Sequence, residues 1–268
     1  MGQILIGTQG WNYDAWSGSF YPKATRAPDY LRVYSRAFRT VEIDSTFYGV
    51  PPAATVEHWA ERVPDGFRFA PKMPQAITHE RRLNDAEDVL EAFAARVRLL
   101  GPKLGPVLIQ LGPEFGRGSR AALERFLPLL PGDIRFAVEF RRPEWIEPSV
   151  LRLLAEHRVA LALVDGRWLP RELMLELTQS PTTDFAYVRW MGPDRAIKDY
   201  SRVVVDREHE IAEWAAGLAA LAERVSQVHG YFNNHFQGHS PASARALQRL
   251  VGQRPVEPGE LAEQVELF

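Results

Sequence analysis

The sequence contains no cysteine, which excludes disulfides, thiolate metal centres and a cysteine nucleophile. Lysine is nearly absent as well. Lys23, Lys72, Lys103 and Lys198 are the only lysines among 32 basic residues, so a single arginine carries less meaning here than a single lysine. Charge of neither sign predominates. A formal net charge of -2 argues against a broadly basic nucleic-acid surface. No apolar run approaches the roughly 18 residues that cross a bilayer. The chain reaches Ile4-Leu5-Ile6 too soon for a signal peptide, so a cytoplasmic protein with no membrane partner is expected. There is no Gly-x-Ser-x-Gly elbow. Gly7-Thr8-Gln9-Gly10 lacks the third glycine and the helix start of a dinucleotide-binding turn.

What remains has the proportions of a protein with a full core, 46% hydrophobic and 25% charged. Short strand-like runs fall at 4–8, 41–44, 67–72, 106–111, 134–140, 159–164, 185–191 and 227–232. Helical spacing separates them, most clearly over 53–63, 85–100, 207–225 and 242–251. Pro28 suits the first turn of a helix through Phe38, Ser119 suits the cap of another, and a weak helix is expected near 173–177. Eight strands alternating with helices over this length predict an α/β protein: one (β/α)₈ barrel of the TIM type. No linker or repeat divides the chain, so residues 1–268 are expected to form a single domain, with 252–268 as a C-terminal extension rich in Pro and Glu.

Barrel sites are built at the carboxyl ends of the strands. Successive strand residues alternate between faces, so the face of each terminal polar residue can be read directly. Glu42 and Asp44 share a face opposite Val41 and Ile43; Lys72 follows Arg68 and Ala70; Glu139 and Arg141 oppose Phe136, Val138 and Phe140. Gln110, Asp165, Arg189 and the pair Asn233-Asn234 close four further strands. Trp11, Trp16, Phe47, Tyr48, Trp145, Trp168, Trp190 and Tyr231 lie near these ends and offer flat faces for a sugar ring or a base.

Three chemistries fit this set. Glu42 and Glu139 could face each other across the mouth as a carboxylate pair for glycosyl transfer. Lys72, Arg141 and Arg189 favour an anionic ligand, and a desolvated Lys72 becomes nucleophilic. A hard divalent cation could be held by Asp165, Glu139 and Glu42, although no metal-ligand motif stands out. His235 and His239 have helical ligand spacing, but Gly238 and Pro241 argue against a helix there. A purely structural alternative has the same acids neutralising the same cations in a buried ion network.

The pieces Ile6-Gly7-Thr8 to Gly10-Trp11, Val41-Glu42-Ile43-Asp44-Ser45-Thr46-Phe47-Tyr48, Phe69-Ala70-Pro71-Lys72, Gln110-Leu111-Gly112-Pro113, Glu139-Phe140-Arg141 with Trp145, Tyr187-Val188-Arg189 and Tyr231-Phe232-Asn233-Asn234 resemble the YecE-like family, domain of unknown function 72. They span nearly the whole chain. The resemblance implies a TIM-like barrel and no established activity. Met191 stands where the family's Arg strand commonly continues into His-Gly, Asp44 where Asn is frequent and Ser243 where Asn is common. The acid/base burden therefore falls on carboxylates or Lys72.

The functional expectation is an enzyme, a hydrolase or isomerase without a redox cofactor, acting on a small polar anionic substrate such as a sugar phosphate, sugar acid or nucleotide. Glu42, Glu139 and Lys72 are its candidate catalytic residues. Trp11, Asp44, Tyr48, Gln110, Arg141, Trp145, Asp165, Arg189, Asn233 and Asn234 are its candidate binding residues. The alternatives are a non-catalytic binder of single-stranded nucleic acid or nucleotide, and a metal-dependent phosphodiesterase-like barrel.

Overall fold

The computed structural model describes residues 1–263. Eight strands form one sheet: β1 (Gln3–Gln9), β2 (Thr40–Ile43), β3 (Arg68–Pro71), β4 (Val107–Gln110), β5 (Phe136–Glu139), β6 (Val159–Gly166), β7 (Phe185–Gly192) and β8 (Gln227–Phe232). The pairs are parallel, in the order β3-β2-β1-β8-β7-β6-β5-β4. The two outer strands meet through isolated bridges, Phe69 with Leu104 and Lys72 with Leu108. The backbone bonds there are Gly105 N–H to Phe69 O at 2.7 Å and Met73 N–H to Leu108 O at 2.8 Å. The result is the nearly closed barrel that the alternation of strands and helices predicts.

The helices are α1 (Tyr30–Ala37), α2 (Ala53–Glu61), α3 (Glu87–Val97), α4 (Arg120–Phe126), α5 (Pro148–Glu156), α6 (Arg171–Glu176), α7 (Glu208–Ala222), α8 (Asn234–Gln237), α9 (Ser240–Leu250) and α10 (Pro258–Glu263). None is long and apolar enough to cross a membrane among the described residues. Ser119 precedes α4 without its hydroxyl bonding a backbone N–H, contrary to the expected cap. A helix does form after Asn233, but Gly238 at φ 110° ends it, so His235 lies on α8 while His239 is the extended residue before α9. Within 252–268, α10 docks on the barrel through Leu261, which is fully buried, while 264–268 lie outside the described residues.

Side-chain parity separates two cores. Ala70, Leu108, Ala137, Ala160, Ala162, Val164, Phe185, Tyr187 and Tyr231 fill the barrel interior. The small residues on one side make room for the tyrosines on the other. The opposite parity packs under the helices, where Trp190 stacks on Phe232 at 4.2 Å and meets Trp214 edge-on.

Between β1 and β2 a side chain replaces part of the ladder. Tyr34 Oη accepts from Thr8 N–H at 2.9 Å and donates to Thr40 O at 3.0 Å, and the strands pair only at Thr8–Val41 and Gln9–Glu42. Gly7 lies at this wedge. A Cβ there would come within 2.1 Å of Thr40 O and 2.9 Å of Tyr34 Oη. Gly7→Ala is therefore expected to cost about 1–3 kcal/mol through forced displacement of backbone. Urea unfolding followed by tryptophan fluorescence measures it, and an unchanged midpoint would contradict the wedge.

Candidate active site at the barrel mouth

Arg189 leaves β7 toward the barrel axis and is fully buried. Its guanidinium meets Glu42 side-on, Nη2 to Oε1 at 2.7 Å and Nε to Oε2 at 2.9 Å. Nη1 donates to Glu139 Oε2 and, at 3.3 Å, to Gln110 Oε1. Tyr187 Oη adds a 2.7 Å bond to Glu42 Oε2. Burial, with Glu42 beside it, pushes the Tyr187 phenol far up, so it remains a donor. Both oxygens of Glu42 are thus occupied on a residue with no exposure. Burial works against ionised Glu139, but the Arg189 and Arg141 guanidinium groups outweigh it and hold its carboxyl below the ordinary range. Arg141 Nε lies 3.2 Å from Glu139 Oε1.

Above this plug opens a cavity of about 420 Å³. Lys72, Arg141, Arg167 and Arg195 line it against Asp44, Glu139 and Asp194, so cations exceed carboxylates by one. Lys72 Nζ sits 3.3 Å from Asp44 Oδ1 and 3.9 Å from the Phe47 ring centre. Burial lowers the Lys72 pKa, with Asp44 acting in the opposite direction. Gln9 Nε2 donates to Asp44 Oδ1 at 3.2 Å and Asn233 Nδ2 to Gln9 Oε1. Trp168 forms part of the wall, with Arg167 4.1 Å and Arg141 5.5 Å from its ring centre.

The structure therefore gathers Glu42, Asp44, Lys72, Gln110, Glu139, Arg141, Arg189 and Asn233 at one end, with exposed Tyr48 at the rim. Four expected residues lie elsewhere. On β6, Val164 points into the barrel, so Asp165 faces outward, where it accepts from Arg171 Nε and Trp214 Nε1 at 2.8 Å each. Trp145 is buried under the helices, stacked on Phe140 and donating to Phe115 O at 2.7 Å. Asn234 is buried away from the cavity, its Oδ1 accepting from Trp16 Nε1 and Ser240. Trp11 lies in an adjoining groove of about 470 Å³ with Trp59 and His58. Trp16 and Trp190, expected as walls, are fully buried, and Tyr231 sits deeper in the barrel. The three carboxylates imagined around a divalent ion do not converge, because Asp165 is turned away and Glu42 and Glu139 share Arg189. Among the described residues no other group of three His, Asp or Glu is arranged for a metal.

Sequence reading missed Gln9, Tyr13, Tyr187, Arg167 and Arg195. Gln9 has the parity of Leu5 and Gly7 and becomes visible once β1 is extended by one residue. Arg167 follows an irregularity in the β6–β7 pairing at Asp165/Gly166, which no residue pattern signals. His79 reaches the cavity from a π-helical turn over Ala76–Glu80, a distortion often found at functional sites.

An eight-stranded parallel barrel with its polar cavity at the carboxyl ends of the strands has the architecture on which TIM-barrel enzymes are built. The chain belongs to the family described as Protein of unknown function DUF72, whose profile matches residues 5–265. It is 31% identical to UPF0759 protein YecE of Escherichia coli (strain K12) over 61% of this chain and 60% of that protein. It is 26% identical to UPF0759 protein YunF of Bacillus subtilis (strain 168) over 99% and 100%. A crystal structure of a DUF72 family protein from Thermotoga maritima MSB8 superimposes with TM-score 0.79 at 24% identity, covering 94% of this chain and all of that one. D-psicose 3-epimerase from Clostridium cellulolyticum H10 shares the fold at TM-score 0.51 and 10% identity, over 98% of both chains.

Two outcomes test the plug. Arg189→Met is expected to cost about 3–5 kcal/mol by leaving buried carboxylates uncompensated. Because folding lowers the Glu139 pKa below 4.5, its contribution is complete above that pH and disappears as pH falls through the folded value. Glu139→Gln should therefore flatten the acid limb of a stability-versus-pH curve below about pH 4.5; an unchanged slope would remove the carboxylate from the network.

Proposed function

We propose that the protein is an isomerase-type enzyme acting on a small polar anionic molecule, a sugar phosphate, sugar acid or nucleotide, by proton transfer through Lys72 at the mouth. The supporting observation is the state of Lys72: an amine whose pKa is lowered by burial, held between one half-exposed carboxylate and an aromatic face. Such an amine gives up its proton nearer neutrality and can remove one from carbon beside a carbonyl. Asp44 orients it. Arg141, Arg167 and Arg195 would clamp the substrate's anionic group, Trp168 would lie along its apolar face, and Gln9, Gln110 and Asn233 would orient hydroxyls.

Isomerisation is preferred to glycosyl hydrolysis because both buried glutamates are spent on Arg189. Glu42 is sealed beneath the plug, and an ionised Glu139 bonded by two arginines makes a poor general acid. These two carboxylates act by fixing Arg189 and Arg141.

Solvent-deuterium exchange into sugar phosphates and sugar acids, with nucleotides added in a thermal-shift panel, tests the reading. Lys72→Met is expected to lower exchange by at least about 100-fold, and the wild-type rate should rise with pH through a value below 10.5, the ordinary lysine value. Absence of any thermal shift or exchange with the whole panel would overturn the proposal. A second reading, binding of single-stranded nucleic acid, draws on the groove where Trp11 and Trp59 meet beside Arg62 and Tyr13. It would be favoured instead by salt-sensitive retention on single strands.

A further inference from the structure

The amino-terminal end of the barrel carries a second cavity, of about 450 Å³. It opens where β3 and β4 are joined only by the bridges described above. Residues 101–106 cross this opening, and Gly101, Pro102, Gly105 and Pro106 supply little side-chain volume to fill it. Arg68, Arg98 and Arg135 line the space, with Asp133 as the carboxylate among the lining residues.

The charges do not cancel. Arg98 is committed to Asp133 in a two-bond pair, Nε to Oδ2 and Nη2 to Oδ1 at 2.8 Å each. Arg135 donates one nitrogen to Gln227 Oε1 at 2.8 Å and pairs through another with Asp184 Oδ2 at 3.4 Å, which leaves Arg68 as the cavity arginine without a carboxylate partner among the described residues. Arg68 makes a single side-chain bond, to Phe67 O, and no ion pair among the described residues.

An independent feature lies against the same space. His229 shares the inward parity of Tyr231 and lines the cavity at 1% exposure. Its Nδ1 is 3.5 Å from Tyr231 Oη, whereas Nε2 is buried with no hydrogen-bond partner among the described residues. Burial, reinforced by Arg135 and Arg68, pushes its pKa down to about 3, so the ring is neutral and can carry its proton on one nitrogen. An orphaned buried ring nitrogen is costly unless something bonds it. A neutral imidazole N–H beside an arginine free of carboxylates matches an oxyanion with several acceptor oxygens, and a guanidinium suits phosphate in particular.

We propose that this amino-terminal cavity is a second ligand site, separate from the mouth, that binds the phosphate group of a small phosphomonoester through Arg68, Arg135 and His229. The volume exceeds what inorganic phosphate fills, which leaves room for the organic part of an ester toward Gly101 and Pro102. The site does not depend on the reading of the mouth.

The test follows the His229 ring resonances of ¹⁵N-histidine-labelled protein during titration with inorganic phosphate and, in parallel, glycerol 2-phosphate, with chloride as the ionic-strength control. A saturable shift with either phosphate and none with chloride is expected. Tighter binding of the ester would assign the site to phosphorylated metabolites, and equal binding to the free ion. Arg68→Gln should weaken binding at least about tenfold, equivalent to about 1.4 kcal/mol. Arg68→Lys keeps the charge without the paired donors and should fall between, which guards against misfolding of the first variant. Lys72→Met at the mouth should leave the titration unchanged. The proposal fails if neither phosphate shifts His229 saturably, if Arg68→Gln binds like wild type, or if Lys72→Met abolishes the response.

Discussion

The structure depends on one buried guanidinium. Arg189 is a cation wholly removed from water, and its burial is compensated because Glu42 on β2 and Glu139 on β5 reach it from separate parts of the sheet. Gln110 on β4 and Tyr187 on β7 complete the set. No member is replaceable in isolation, since removing either sign leaves the other charged and dry. The network ties strands distant in sequence to a common centre and gives the mouth a rigid floor. It also explains why the acids that look most catalytic in the sequence are the least available to a substrate.

That distinction could not be read from residue types. Strand parity was enough to put Glu42, Lys72, Glu139 and Arg189 on the inner face, because alternation follows from backbone geometry alone. What each side chain bonds depends on distances across the barrel, between segments separated by as many as 147 positions. A sealed Glu42 and a cavity-lining Lys72 therefore look alike before folding. Asp165 was misplaced for a different reason. It ends its strand like the others, but it lies one residue beyond inward-facing Val164 and so looks the other way, to a tryptophan and an arginine in the helix layer. Trp145 and Asn234 are polar-capable residues near strand ends whose hydrogen bonds are spent on holding loops and short helices. Gln9 escaped notice because the glycines around it obscured the end of β1.

Seen from end to end, the barrel interior is layered. The charged cavity lies at the mouth, with the Arg189 plug beneath it. Below come the phenols of Tyr187 and Tyr231, whose rings are 5.1 Å apart, and Thr40, which bonds Tyr231 at 2.8 Å and Arg68 O at 2.9 Å. His229 follows, at the head of the lower cavity. The apolar layer is thin because alanines occupy β3, β5 and β6, so polar groups run along much of the axis while nearly all find partners.

The short closure between β3 and β4 has a mechanical meaning. Elsewhere in the sheet most neighbouring strands share continuous ladders, but here cohesion rests on a pair of backbone bonds and the packing around them. Local opening is favoured where few bonds must break, and few backbone bonds cross this line of the cylinder. Lys72 stands at its upper end and Arg68 near its lower end. A single hinge-like loosening would change the width of both cavities together, making the least-bonded edge of the sheet the place where its two ends share a common motion.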